Sequence, residues 1–156
     1  MTETEIKNAL LLIQDEDILK GSQEVKKLLY SSREGKEVYA FYEEILKLLS
    51  SKNDTTRTRA ILLIAHNAKH DDKKLLDAVL DEYLSHLYDE GNETAEHCIR
   101  SLVWIAKAKP YFRELFIKEL SNYDLGKISK ENREVIKKNL EDSLKELKKI
   151  DWTRDY

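Results

Sequence analysis

Two seven-residue segments of the chain match position by position at a fixed separation. Arg59-Ala-Ile-Leu-Leu-Ile-Ala65 and Arg100-Ser-Leu-Val-Trp-Ile-Ala106 lie 41 residues apart, and both read Arg, small, aliphatic, aliphatic, bulky, Ile, Ala. Each segment follows a polar turn, and each turn follows an amphipathic stretch, over 36–49 and over 73–88. A weaker third copy, Arg133-Glu-Val-Ile-Lys, begins 33 residues after the second copy. A unit recurring at about 40 residues predicts stacked copies of one supersecondary structure.

The composition favours helices as the repeated elements. Only four Gly and one Pro occur in 156 residues, whereas β-rich folds of this size need many tight turns. Charged residues make up 37% and hydrophobic residues 41% of the chain, which predicts a globular rather than a disordered protein. We therefore predict an all-α fold, with one domain over 1–150 and a C-terminal tail at 151–156.

Hydrophobic periodicity predicts helices joined by short turns, which force neighbouring helices to run antiparallel. The polar stretch from Asp15 to Ser22 is predicted to separate the first two helices, with Ser22 as an N-cap. Gly35 is predicted to end the second helix in the left-handed conformation, and either Asn53 or Asp54 to cap the fourth. The predicted helices cover approximately 4–13, 22–34, 36–49, 54–69, 73–88, 93–109, 111–120 and 130–150.

The repeated helix pair is the pattern of HEAT and armadillo arrays. Six segments of the chain carry a resemblance to one group of such proteins, namely Arg59 to Lys69, Asp81 to His86, Thr94, Cys98 to Arg100, Ile105 to Pro110 and Asn122 to Leu125. Through them the chain resembles short bacterial HEAT-repeat proteins of about 150 residues, some labelled SufBD protein. The resemblance covers about 36–145 and implies an α-α superhelix of about four stacked antiparallel helix pairs, the first a degenerate cap. It implies no established activity, and the single cysteine does not support the iron–sulfur scaffold that the label points to.

A candidate partner-binding face follows the second helix of each pair, since stacked repeats usually bind along that surface. Residues at steps of three and four share one side of a helix, and they give a mildly basic face with one Trp. The predicted occupant is an acidic peptide or a partner helix. The candidate residues are Arg59, Leu63, His66, Arg100, Trp104, Lys107, Arg133 and Lys137.

The charge distribution supports this face, but a structural interpretation stays open beside it. Residues 71–90 carry seven acids against two lysines, whereas 51–70 carry four cations against one acid, so outer helices are predicted to be acidic. In the alternative interpretation the charges are ordinary surface, and Trp104 belongs to the core. Arg59 and Arg100 would then bridge carboxylates or carbonyls in the turns of neighbouring repeats, which suits a guanidinium with five donors.

No catalytic pattern is present, and we predict a non-enzymatic interaction or scaffold module without a cofactor. His66 and His70 are spaced to share a metal ion, but zinc sites need three or four ligands, and only an unverified contact with Asp71 or His97 would add one. Cys98 lies within a predicted helix, where a buried, inert thiol is the expected state. The sequence contains no Gly-rich phosphate loop and no Gly-x-Ser-x-Gly.

Charge and hydropathy limit the partners further. A net charge of −3 argues against a general nucleic-acid binder, because phosphate binding needs a strong positive field. The alternative function is nevertheless a nucleic-acid-binding HEAT protein, related in fold to the alkylpurine DNA glycosylases. No apolar run approaches the roughly 20 residues of a membrane span, and no signal-peptide core is seen, so a cytoplasmic protein is predicted. The oligomeric state is left open.

Overall fold

The computed structural model describes residues 1–91 and 93–149, and all regular secondary structure in that part of the chain is helical. The predicted all-α class is confirmed, whereas the predicted tail at 151–156 lies outside the described residues. Short 3-10 turns extend or precede several of the α-helices. The α-helices are α1 (Glu3–Leu12), α2 (Ile18–Glu34), α3 (Tyr42–Lys47), α4 (Asp54–Asn67), α5 (Leu75–Ala78), α6 (Leu80–Ser85), α7 (Thr94–Ala108), α8 (Arg113–Ser121) and α9 (Arg133–Lys149). None of these helices has the length and apolar character needed to cross a bilayer.

Helix α2 begins four residues earlier than predicted. Asp17, not Ser22, is its N-cap, and the Asp17 carboxylate accepts a hydrogen bond from the Leu19 amide. Gly21 was predicted to lie in a helix break but sits inside α2 and is buried. A Cβ atom at Gly21 would lie 2.1 Å from Nη1 of Arg59 and 2.7 Å from the carbonyl oxygen of Leu12. This glycine therefore permits close packing between helices.

Two other local predictions were wrong in detail. Gly35 does end α2, but its φ of −162° is extended rather than left-handed. The helix predicted over 73–88 is divided into α5 and α6. The Asp71 carboxylate accepts hydrogen bonds from the amides of Leu75 and Leu76, which fixes the start of α5. The predicted capping of α4 by Asn53 is confirmed, since its side chain accepts from the amides of Thr55 and Thr56.

The longer helices pack in one row. Helix α4 lies between α2 and α7, and α7 lies between α4 and α9. The other helices cover this row, with α1 packed on α2, α3 on α4, and α8 on α9. The two matching sequence segments occupy α4 and α7, which pack against each other, so both form part of the core. Within these segments Leu62 is half-buried and Trp104 is exposed.

The burial pattern and the first helix of each unit repeat at 38 residues rather than 41, although α4 and α7 themselves begin 40 residues apart. Helices α3 and α6 have the same length and begin 38 residues apart. The 3-10 turns that follow them, Leu48–Ser50 and His86–Tyr88, are separated by the same interval. Burial agrees with this register, in which His66 corresponds to Trp104 and Asp71 to Lys109. A three-residue shift is close to one helical turn, so the apolar pattern fits both registers and the sequence match selected the wrong one.

A largely buried ion pair joins the first turn of α4 to the turn that precedes α7. Arg57 donates from Nε and Nη2 to the two carboxylate oxygens of Asp89, at 2.9 and 2.8 Å. The Asp89 carboxylate also binds Nδ1 of His86 at 2.7 Å and the Gly91 amide at 2.7 Å. Burial alone would raise the pKa of Asp89, but these hydrogen bonds outweigh it and lower the pKa to about 2.

The low pKa of Asp89 predicts how the free energy of unfolding changes as the pH falls. Because the folded-state pKa lies below the unfolded value of about 3.9, the stabilisation is complete above that pH and is lost as the pH falls towards 2. We expect Asp89→Asn to reduce the free energy of unfolding by roughly 2 kcal/mol at pH 7, and most of the difference from wild type to vanish at pH 2. Denaturant unfolding between pH 7 and pH 2 measures both, with the exposed Asp81→Asn as control. A difference that stays constant with pH would contradict the assignment.

Candidate functional site

A shallow groove lies on the surface where α4 and α7 meet. It has a volume of about 250 Å³ and both polar and apolar walls. We call it the α4–α7 groove, and the residues that line it are Leu62, Ala65, His66, His97, Arg100, Ser101 and Trp104.

The exposed Trp104 side chain forms the centre of this groove. It is 52% exposed, so the interpretation of Trp104 as a core residue was wrong. Its ring stacks on the imidazole of His66, with 4.9 Å between ring centroids and 21° between planes. Nζ of Lys107 lies 5.6 Å from the centroid of the Trp104 ring, within the range of a cation–π contact. His66 and Trp104 meet because they occupy equivalent positions in the 38-residue register.

Four of the predicted face residues come together at the groove, namely His66, Arg100, Trp104 and Lys107. Arg59 and Leu63 lie elsewhere. Leu63 is fully buried in the core. Arg59 is 6% exposed, and its guanidinium donates to the carbonyl oxygens of Ile13 at 3.1 Å and Ile18 at 2.7 Å. It thus holds the turn between α1 and α2, the structural role considered for it from the sequence. Both residues were assigned to the face because they lie at steps of four and three before His66 on the same helix.

Arg100 has a different environment from Arg59. It is exposed, and its Nη2 donates to Nδ1 of His97 at 3.0 Å and lies 3.8 Å from a carboxylate oxygen of Glu96. Both contacts lie within α7, so the alternative in which Arg100 bridges the turns of a neighbouring repeat finds no contact among the described residues. Its guanidinium is placed to meet a ligand in the groove.

The third pair of predicted face residues lies on α9, outside the groove. Arg133 is half-buried and donates from Nε to the carbonyl oxygen of Ile128 at 3.1 Å, which ties the start of α9 to the preceding loop. Lys137 is exposed one turn further along the helix. Since α9 packs beside α7, these two cations lie on the helix adjacent to the groove rather than in it.

The charges near the α4 side of the groove are positive, since Arg33 and Lys69 lie close to His66. Burial lowers the pKa of His66, and the nearby charges of Arg33 and Lys69 lower it further. Burial also lowers the pKa of His97, as does Arg100, while Glu96 and Glu93 act in the opposite direction. Both imidazoles are therefore neutral at pH 7, and the positive charge there comes from arginine and lysine.

The acidity predicted for the outer helices is partly accounted for by contacts inside the protein. Three of the seven acids in residues 71–90 are used inside the protein. Asp71 and Asp77 bind Nζ of Lys109, and Asp89 binds Arg57. Part of the charge asymmetry therefore reflects contacts between helices, whereas Asp72, Asp81, Glu82 and Glu90 are exposed, so the proposed binding face rests on the groove itself.

Metal and nucleophile chemistry find little support in the geometry. Nδ1 of His66 lies 2.8 Å from the carbonyl oxygen of Leu62, and Nε2 of His70 lies 3.1 Å from that of Ser32. Within residues 1–91 and 93–149, no group of three or more His, Cys, Asp or Glu side chains is placed to hold a metal ion. Cys98 is buried as predicted, and burial raises the pKa of its thiol well above the usual range, which opposes thiolate formation.

Four residues that line the groove were not among the predicted face residues, namely Leu62, Ala65, His97 and Ser101. Helical spacing alone would have found His97, since it lies three residues before Arg100 and so on the same side of α7 as Arg100 and Trp104. Comparison of the chain with protein-family models, with curated proteins and with solved structures finds no match. The resemblance to short HEAT-repeat proteins therefore stays a prediction.

Proposed function

We propose that this chain is a HEAT-like helical-repeat protein, an α-α superhelix of stacked helix pairs, that binds an acidic segment of a partner protein in the α4–α7 groove. The observation that carries the proposal is the exposed Trp104, stacked on His66 and accompanied by the cations Arg100 and Lys107. Tryptophan and arginine are the residue types most enriched at the energetic centres of protein interfaces.

The repeat arrangement supports this function physically. The row of α2, α4, α7 and α9 with its covering helices is the packing expected of stacked helix pairs, and the 38-residue period falls in the range of such repeats. The groove lies between two successive helices of that row, where such arrays usually bind. A partner segment there would contact both repeats at once.

The charge of the groove selects an acidic partner segment. Arg33, Lys69, Arg100 and Lys107 lie around the aromatic pair, and acidic side chains on a partner would complement them. A bulky apolar partner residue could pack on the exposed Trp104 ring, whose burial would supply most of the affinity. The net charge of −3 opposes the long, polyanionic backbone of a nucleic acid.

We expect Arg100→Glu combined with Trp104→Ala to remove partner binding while leaving the helical content and the thermal midpoint near the wild-type values. Proteins retained by the immobilised wild type are identified, purified and titrated against each variant. The loss in affinity should be at least a hundredfold, since an interface Trp and a reversed charge each cost about 2 kcal/mol or more.

The matched control is Lys26→Glu combined with Tyr30→Ala on α2. These two residues are also exposed and also separated by one helical turn, but they lie away from the groove. The control variant should retain full affinity. If the groove variant, still folded, keeps its partners and their affinities, the proposal is wrong. Tight binding of duplex DNA that weakens steeply with salt would favour the nucleic-acid alternative instead.

A further inference from the structure

We infer that partner binding in the α4–α7 groove is controlled by pH through protonation of His66 and His97, which converts a moderately basic groove into a strongly basic one. This inference rests on the proposed function, since it concerns the regulation of the same site. The geometry that carries it is the placement of the two imidazoles on facing helices at the same groove, each in contact with a residue proposed to bind the partner.

The hydrogen bond made by His66 determines where its second proton goes. Nδ1 faces the carbonyl oxygen of Leu62 at 2.8 Å, and a carbonyl can only accept, so Nδ1 carries the proton of the neutral ring. Nε2 is then the site that protonates. The resulting imidazolium lies against the face of Trp104, where the ring quadrupole stabilises a cation, so the stacked pair persists and gains a positive charge.

His97 acts on the groove through Arg100. A guanidinium has no acceptor, so the contact between Arg100 Nη2 and His97 Nδ1 at 3.0 Å requires an unprotonated Nδ1. The neutral imidazole therefore holds the Arg100 side chain against α7. When Nδ1 takes a proton, this hydrogen bond is lost and two like charges face each other, which releases the guanidinium towards a ligand in the groove.

The other charges around the two rings set the direction of the effect. Arg33 on α2 and Lys69 after α4 face His66, and Glu93 and Glu96 on α7 lie near His97, with Nε2 of His97 4.0 Å from Glu93. The nearby cations and the partial burial favour the neutral rings in the free protein. An acidic partner segment reverses this balance, because its carboxylates stabilise both imidazolium ions.

The expected result is tighter binding at lower pH. Both rings are neutral in the free protein at pH 7.5, because burial and nearby cations hold the pKa of each below its usual value, and they take up protons as the pH falls. Each added charge should strengthen binding about threefold, as exposed ion pairs do, so the two together should give about a tenfold gain between pH 7.5 and pH 5.5.

The test is a titration of a rhodamine-labelled peptide built from Asp, Ala and Leu, followed by fluorescence anisotropy at pH 7.5 and pH 5.5. Asp is used because its carboxylate stays ionised at both values. The test variant carries His66→Phe, which keeps an aromatic ring on Trp104, and His97→Gln, which keeps an acceptor for Arg100. The control variant is His70→Gln, since the His70 ring is bonded to the Ser32 carbonyl rather than lining the groove.

Wild type and the His70→Gln variant should each bind about tenfold more tightly at pH 5.5 than at pH 7.5, whereas the affinity of the double variant should change less than twofold between the two pH values. A double variant that keeps the full pH dependence would overturn the inference. Wild-type affinity that is equal at both pH values would overturn it as well, while leaving the proposed function in place. Peptide binding that survives Arg100→Glu with Trp104→Ala would contradict the proposed function itself.

Discussion

Replacing Lys109 by Ala is expected to reduce the free energy of unfolding by about 3–5 kcal/mol. Lys109 is only 4% exposed, and its Nζ lies 3.1 Å from Asp71 Oδ2 and 2.8 Å from Asp77 Oδ1. The same ammonium donates to the carbonyl oxygen of Asp71 at 3.3 Å. Removing it leaves the buried Asp71 carboxylate without its counter-charge, which costs far more than the ion pair contributes when intact.

The loss of stability should extend to the neighbouring elements that Asp71 holds by hydrogen bonds. Its carboxylate accepts a hydrogen bond from Tyr39 and from the first amides of α5, so it connects three parts of the chain at once. Urea unfolding of the Lys109→Ala variant measures the effect. The control is Lys107→Ala, on the same stretch of chain but outside the core, which should change stability by less than about 0.5 kcal/mol. A loss below about 1 kcal/mol for Lys109→Ala would show that the buried cation is not needed by Asp71 and Asp77.

Arg59→Met is expected to cost about 3 kcal/mol, whereas Arg100→Met should cost less than about 0.5 kcal/mol. The first variant loses hydrogen bonds from a charged donor to the carbonyl oxygens of Ile13 and Ile18, and methionine fills much of the volume but donates nothing. Gly21 contributes to this site by admitting the guanidinium, because any side chain there would collide with it.

The two arginines make a matched pair, because they begin the two segments that look alike in the sequence. Thermal or urea unfolding of both methionine variants gives the comparison directly. Equal losses would mean that the two positions are equivalent, as the 41-residue register implies, and would contradict the 38-residue register. Unequal losses in the stated order would show that one arginine is structural and the other is available for binding.

The helices could be predicted from the sequence because their signals are local. Apolar residues at three- and four-residue steps mark one buried face whatever the neighbours are, and Asn53 carries its own capping signal. Gly21 was misassigned because a glycine that admits a neighbouring side chain looks, in the sequence, like a glycine that breaks a helix. The two kinds of glycine can be told apart only through the contact with Arg59, which lies far from Gly21 along the chain.

The repeat register could not be predicted for a related reason. A shift of three residues leaves the buried side of a helix almost unchanged, so the match between Arg59 and Arg100 was as good locally as the true correspondence. The equivalence of Asp71 and Lys109 shows why, because neither their burial nor their ion pair can be read from the sequence. These opposite charges occupy equivalent positions 38 residues apart, and both are buried.

The candidate site was found in part for the same physical reasons. His66, Arg100, Trp104 and Lys107 were assigned correctly to one surface because each lies on the outward side of its own helix. The contact between His66 and Trp104 required the register between helices, which the sequence analysis placed three residues away. Arg59 and Leu63 were included because they lie at helical steps before His66, and His97 was missed although it lies three residues before Arg100 on the same side of α7.

The most direct test of binding in the α4–α7 groove is an NMR titration of the labelled protein with the acidic Asp, Ala and Leu peptide. We expect the largest shifts at the indole NH of Trp104 and the side chains of His66, His97 and Arg100, with little change elsewhere. Shifts confined to another surface, such as the cleft between Leu46 and Val79, with Trp104 unaffected, would contradict the proposed binding site.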